Sequence, residues 1–216
     1  MSQVLLLMRC IRLLLSLIGL ACVACAPVLQ PTPVHPRSLA GEWIADTTRC
    51  NAISDQLHAA LDNAQQKELR GATKRAARRF SDDQGVADAH LGPYSWEVRD
   101  QHEQYQALLE DIRPVSELRV VQQQNMIQFM SPNLAQRNFE AGASSTLVTT
   151  FAHLRVESGW QTDEFVVHSK DSKSDIELLE RYRIQADGSL LLSVTVSCKY
   201  METQQYTLIY HRRVST

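Results

Sequence analysis

The sequence lacks a segment able to cross a bilayer comfortably, a metal-ligating spacing, and any nucleophile or phosphate-loop motif. Its leading apolar run, Leu13 to Ala24, is shorter than the roughly 20 residues that a spanning helix needs. The seven histidines, His35, His58, His90, His102, His153, His168 and His211, show neither His-x-His nor His-Glu-x-x-His spacing, which argues against a zinc site. There is no Gly-x-Ser-x-Gly elbow, no Ser-x-x-Lys signature and no Gly-rich phosphate loop, so the common hydrolase and nucleotide chemistries have no motif to carry them. Asp171, Asp175 and Glu177 cluster without the spacing of a calcium loop, and that stretch reads as a solvated hairpin tip. A net charge of -2 over 216 residues gives no general affinity for nucleic acid. These absences predict a protein with no catalytic residues, no metal and no cofactor.

What is present first is an address. Arg9 and Arg12 precede the apolar run, which closes on small residues and gives way to Pro-rich sequence, the order of an export signal. The segment Leu20-Ala21-Cys22-Val23-Ala24-Cys25 resembles the lipobox of bacterial lipoproteins, in which a cysteine is acylated and becomes the new N-terminus. Cys25 is the expected lipidation site and Cys22 the alternative. Removal of residues 1–24 leaves Cys50 and Cys198 as an even pair, suited to one disulfide in an oxidising periplasm. Pro27, Pro31, Pro33 and Pro36 make 25–38 a tether. Ala26, standing where an aspartate would retain the protein at the inner membrane, resembles sorting to the outer membrane. The expected place is the cell envelope, lipid-anchored at the outer membrane and facing the periplasm.

The remaining chain, 39–216, reads as one α+β domain. Leu39 to Ile44 is a short strand, ended by the cap-rich Asp46-Thr47-Thr48. Ile53, Leu57, Leu61, Ala64, Leu69, Ala72, Ala76 and Phe80 recur at helical spacing and predict one long amphipathic helix. Its other face carries Lys67, Arg70, Lys74, Arg75, Arg78 and Arg79, a basic cluster suited to lipid phosphate or another polyanion or simply to solvent. A shorter helix is expected over 95–112, with Trp96, Tyr105, Leu108, Leu109 and Ile112 on its apolar side. The helical insert thus spans about 51–113. From about 116 to 213 the period changes to two. Leu118 to Val120 and Ile127 to Phe129 flank an Asn125 turn, and Leu154 to Val156, Phe165 to Val167, Ile176 to Leu178 and Tyr182 to Ile184 alternate likewise. Leu190 to Cys198 is the clearest strand, after an Asp187-Gly188 turn, and Tyr206 to Arg212 is the last. Cys198 therefore points inward, and a Cys50–Cys198 bond would add roughly 2 to 5 kcal/mol. The predicted fold is an antiparallel β-sheet or half-barrel meander packed with one long and one shorter helix inserted after the first strand.

Gly41-Glu42-Trp43, the run Gly159 to Val167, Glu180-Arg181-Tyr182-Arg183-Ile184 with Asp187-Gly188, and Tyr210-His211-Arg212-Arg213 together resemble a group of largely uncharacterised proteobacterial envelope lipoproteins with a lipocalin-like or half-barrel β domain. The Gly-x-Trp element is similar to the opening strand of lipocalins. There the Trp packs beside a basic residue of the final strand, which implies a Trp43–Arg212 pair. The resemblance implies a non-catalytic binding or interaction module whose partners are the membrane, through its lipid, and an apolar ligand or envelope protein. A structural or accessory lipoprotein of an envelope assembly is the alternative, and a hydrolase without recognisable motifs comes third.

Overall fold

The computed structural model describes residues 28–34, 37–81, 102–107, 109–111, 113–132, 134–148, 153–171, 176–198 and 201–213, with the side chains of 72, 73 and 75–81 left aside. The export signal, Cys22, Cys25, Trp96, Leu108, Ile112 and the hairpin tip at 172–175 lie outside the described residues.

Ten strands form one antiparallel sheet: β1 Gly41–Ile44, β2 Glu117–Gln123, β3 Met126–Ser131, β4 Leu134–Glu140, β5 Ala143–Val148, β6 His153–Gln161, β7 Glu164–Asp171, β8 Ile176–Ile184, β9 Leu190–Ser197 and β10 Gln204–Arg212. Their order is β4-β3-β2-β1-β10-β9-β8-β7-β6-β5, a meander whose first strand is inserted between β2 and the last. The two edge strands, β4 and β5, approach each other. Ala141 and Gly142 join them, and Gly142 N–H donates to Ser158 O of β6 at 2.7 Å. The sheet is therefore a nearly closed barrel, and the expected α+β half-barrel with helices after the first strand is found.

Alternation explains the strands. In β9, Leu190, Leu192, Val194 and Val196 are buried while the residues between them are half-exposed. The same period buries Leu118 and Val120 of β2, Ile127 and Phe129 of β3, and Leu208 and Tyr210 of β10, because successive side chains of a strand face opposite sides. The segments around Ile176 and Tyr182, expected as two strands, are one continuous β8. β4 and β5 were not anticipated.

Helix α1 spans Thr47–Ser81 and begins earlier than its apolar spacing suggested. Asp46 caps it, its Oδ1 accepting from Thr48 N–H at 2.8 Å, a partner for otherwise orphaned amides. Cys50, Ile53, Leu57, Leu61 and Ala64 are buried in the common core. A second helical segment covers 102–107 and 109–111, burying Tyr105 and Leu109. No described helix is long and apolar enough to cross a membrane.

The expected Trp43–Arg212 pair is present. Trp43 stands opposite Arg212 where β1 meets β10, and the guanidinium lies 4.8 Å from the indole centroid, within cation–π range. The indole N–H donates to Leu39 O at 2.9 Å.

Two expectations are corrected. The Pro-rich segment, expected as a tether, lies over its described residues 28–34 and 37–38 as a strap bound to the barrel. Gln30 and Trp160 exchange backbone hydrogen bonds of 2.8 and 2.7 Å, and Val34 N–H donates to Thr162 O. Prolines forbid helix but leave an extended chain free to lie on a sheet end. Secondly, Cys50 and Cys198 are both free thiols. Cys50 interacts with Tyr206 and Tyr210, which pair with Val194 and Leu190. Cys198 lies beyond Val196, four residues past Val194, or about 13 Å along the strand at its usual rise. The pattern placed Cys198 inward and Cys50 after the first strand, without telling their heights in the barrel.

Candidate functional site

Within the largely aliphatic core, several aromatic rings meet. Phe129 stacks on Tyr182 at 4.4 Å, meets Phe139 edge-on at 5.8 Å and lies 6.2 Å from Phe165. Beside this stack, β4 and β8 bring a polar cluster inside. The inward row of β8 reads Ile176, Leu178, Glu180, Tyr182, so a carboxylate occupies an apolar place. On β4, Arg137 shares a face with Phe139, since residues two apart point the same way.

Arg137 grips Glu180 with both ends of its fork. Nη1 donates to Oε2 at 2.8 Å and Nη2 to Oε1 at 2.9 Å. Nη2 also donates to the Tyr182 hydroxyl at 3.0 Å, and that hydroxyl donates to Glu180 Oε1 at 2.8 Å. The side chains of Arg137 and Glu180 are 18% and 7% exposed. Arg137 also lies 5.9 and 5.5 Å from the Phe129 and Phe139 ring centroids. Burial works against the charge on Arg137, yet Glu180 and Tyr182 outweigh it, so the guanidinium titrates above its ordinary value. Burial first, and the Glu180 charge next, push the Tyr182 phenol well above 10.0. Both phenol and guanidinium therefore keep their protons throughout the physiological range.

The cluster lines a cavity of about 40 Å³, with Leu118, Phe129, Met130, Leu134, Leu192 and Tyr206 among the walls. At roughly 10–15 Å³ for each water, that is room for about three. On one side it is bounded by Asp111, Arg113, Pro114 and Val115, the link between the second helical segment and β2. That link is held by the Tyr210 hydroxyl, which donates to Val115 O at 2.9 Å.

None of the lipidation, disulfide or basic-cluster residues named from sequence belongs to this cluster, although Glu180 and Tyr182 stand in the run that carried the resemblance. Lys67, Arg70 and Lys74 are exposed on the second half of α1, and the side chains of Arg75, Arg78 and Arg79 lie outside the described residues. Cys50 is buried, and desolvation, followed by the charge of Asp46, raises its thiol pKa. Cys198 is half-buried beyond the end of β9. Among the described residues no group of three or more His, Cys, Asp or Glu side chains is placed to hold a metal ion. The Arg137–Glu180 pair escaped notice because its members are 43 residues apart and each alone resembles a surface charge. The legible signal was Glu180 within an inward-facing apolar row.

No family model matches the chain, and no curated protein does. Among solved structures, human cRBP IV is similar at 12% identity and a TM-score of 0.41, over 82% of this chain and 100% of that one. Secretory abundant heat soluble protein 4 from Ramazzottius varieornatus is similar at 13% identity and a TM-score of 0.35, over 45% of this chain and 69% of that one. The architecture stands on the strand order and register above, and no residue role is transferred from either protein.

Proposed function

We propose that this protein is a lipid-anchored, non-catalytic binding module of the cell envelope that takes a small amphiphile into its barrel. The observation that carries this reading is the Arg137–Glu180–Tyr182 cluster on the wall of a cavity. A buried ion pair is poor value for stability, since apolar residues of similar volume often serve as well or better. Here it gives an otherwise apolar interior one polar contact point. Three of the five guanidinium N–H donors are used within the cluster. Arginine and glutamate cancel in charge, so the matching head group is a neutral acceptor, a hydroxyl or carbonyl. Its apolar body would lie against Leu118, Phe129, Met130 and Leu134 once Arg113, Pro114 and Val115 move aside. With its oxygens engaged by Arg137 and Tyr182, Glu180 is poorly placed to act as a base.

The anchor in this reading is an acyl chain on Cys25, with Cys22 the alternative, at the periplasmic face of the outer membrane. Globomycin sensitivity and intact mass test it. Binding is tested with full-length protein and three probes of equal chain length: a fatty alcohol, the corresponding acid and the amine. The alcohol is expected to bind most tightly by calorimetry. The Arg137→Met/Glu180→Leu double variant should fold and lose that preference. Failure of all three probes, or an unchanged preference in the variant, would refute the reading.

The crowding of Phe129, Phe139, Phe165 and Tyr182 favours a second reading, an accessory lipoprotein whose barrel is a spacer within an envelope assembly. In that case no probe binds, and cross-linking in intact envelopes captures a constant protein partner.

A further inference from the structure

One end of the barrel carries features that the interior site does not use. The strap crosses the end where β2 meets β3, β4 meets β5, β6 meets β7 and β8 meets β9. Gln30 bonds Trp160 and Val34 bonds Thr162, Pro31 lies beside Gly142, and Leu39 N–H donates to Gln122 at 2.9 Å. Arg37 Nη1 donates to Ile184 O and Gln185 O at 3.2 and 3.3 Å. Two of the most exposed large apolar side chains, Val28 at 76% and Val34 at 66%, are on this strap. Next to it is an open recess of about 340 Å³ lined by Arg37, Asp163, Arg183, Ile184, Gln185 and Ala186. Arg183 lies 3.4 Å from Glu164, which also takes Arg181 at 3.3 Å.

We propose that this strap-bearing end rests on the anchoring bilayer, with Val28 and Val34 entering the interface and Arg37 and Arg183 meeting lipid phosphates. The inference rests on the lipid-anchored reading above. Chain length supports it. From Cys25 to Gln30 there are five residues, which span at most about 18 Å when fully extended. β6, β8 and β10 each have nine residues, or about 30 Å at the usual rise. An acyl chain on Cys25 therefore cannot leave the strap end pointing away from the bilayer while the opposite end touches it. Were Cys22 acylated, the reach would be about 29 Å, and orientation would depend on the recess and the valines alone. The chemistry agrees as well. A recess holding arginines and an aspartate has both signs, as a zwitterionic headgroup does, and exposed valines beside cations are what an interfacial contact uses.

The test uses full-length acylated protein in phosphatidylethanolamine vesicles containing phosphatidylglycerol and a nitroxide-bearing lipid. A fluorophore is placed at Val34→Cys or, at the far end between β9 and β10, at Glu202→Cys, each in a Cys198→Ser background. Nitroxide quenching at position 34 should exceed that at 202 several-fold. Arg37→Glu with Arg183→Glu should reduce the quenching at 34 while the protein stays vesicle-bound. Equal quenching at the two positions, or stronger quenching at 202, overturns the orientation and leaves the anchor standing. A mass without acyl groups overturns both.

Discussion

Glu180 is tolerated inside β8 only because Arg137 and Tyr182 take its oxygens at 2.8–2.9 Å. Removing one partner of such a pair strands the other charge in a poorly solvating interior, at about 3–5 kcal/mol. Arg137→Ala should therefore lower the unfolding free energy by about that amount. Arg137→Met with Glu180→Leu should recover most of it, and a double-mutant cycle by urea denaturation reads the coupling directly. A double variant no more stable than Arg137→Ala would mean that the cluster holds the barrel together rather than serving a ligand. The free cysteines make a second residue-scale prediction. Burial raises the Cys50 thiol pKa, and the thiolate is the reactive form. Under native conditions Cys50 should resist thiol reagents while the half-buried Cys198 reacts. In denatured, unreduced protein both should titrate, and loss of these two thiols from the count would restore the disulfide.

Among the elements, the strap depends on a glycine. A Cβ on Gly159 would sit 2.8 Å from the Leu29 Cβ, 2.9 Å from Gln30 O and 2.9 Å from Gly142 N, and backbone atoms have little room to yield. Gly159→Val should lift the strap and break both Gln30–Trp160 hydrogen bonds. The expected loss is about 1–3 kcal/mol, the usual range for overpacking, with faster hydrogen exchange at the Trp160 amide. An unchanged midpoint and exchange rate would show that the strap does not bind there. What could be read of the elements follows from burial. β9 was legible because Leu190, Leu192, Val194 and Val196 face a core on one side. β4 buries only Phe139, and β5 has no fully buried residue, so these edge strands show no alternation to detect. Glu180 and Arg181 interrupted the apolar reading of β8 and hid its continuity. The helix was legible from Ile53 because its stripe faces the core; its true start depends on the Asp46 cap, a single hydrogen-bonding residue that periodicity cannot register.

For the whole molecule, the barrel has strong ladders and weak closures, and its proton inventory makes its stability fail at high pH. β6 to β10 are joined by ladders of seven or eight residue pairs, whereas β1 meets β10 through two pairs, Trp43 with Arg212 and Ile44 with His211. Native-state exchange should therefore be slowest in β7 to β9 and faster at β1, β4 and β5, since local opening follows the sparser contacts. Uniform protection would contradict that ranking. The alkaline limit is set by Tyr182 and Tyr210, 1% and 0% exposed. Burial is the first cause raising both phenols above the ordinary value of 10.0, and nearby acidic groups, Glu180 at Tyr182 and Cys50 at Tyr210, add to it. In the unfolded chain these phenols ionise near that ordinary value, while in the folded barrel they keep their protons to higher pH. Below about pH 10 the two states bind the same phenolic protons and this contribution is fully present. Above it the unfolded state releases protons first, so stability falls steadily with pH. Ionising Tyr210 would also remove the proton it donates to Val115 O, freeing the link between the helical insert and β2. Phenolate absorbance from these two side chains should then rise cooperatively, together with loss of β-sheet circular dichroism. Gradual ionisation at ordinary phenol pH with the sheet intact would mean that water already reaches the barrel interior.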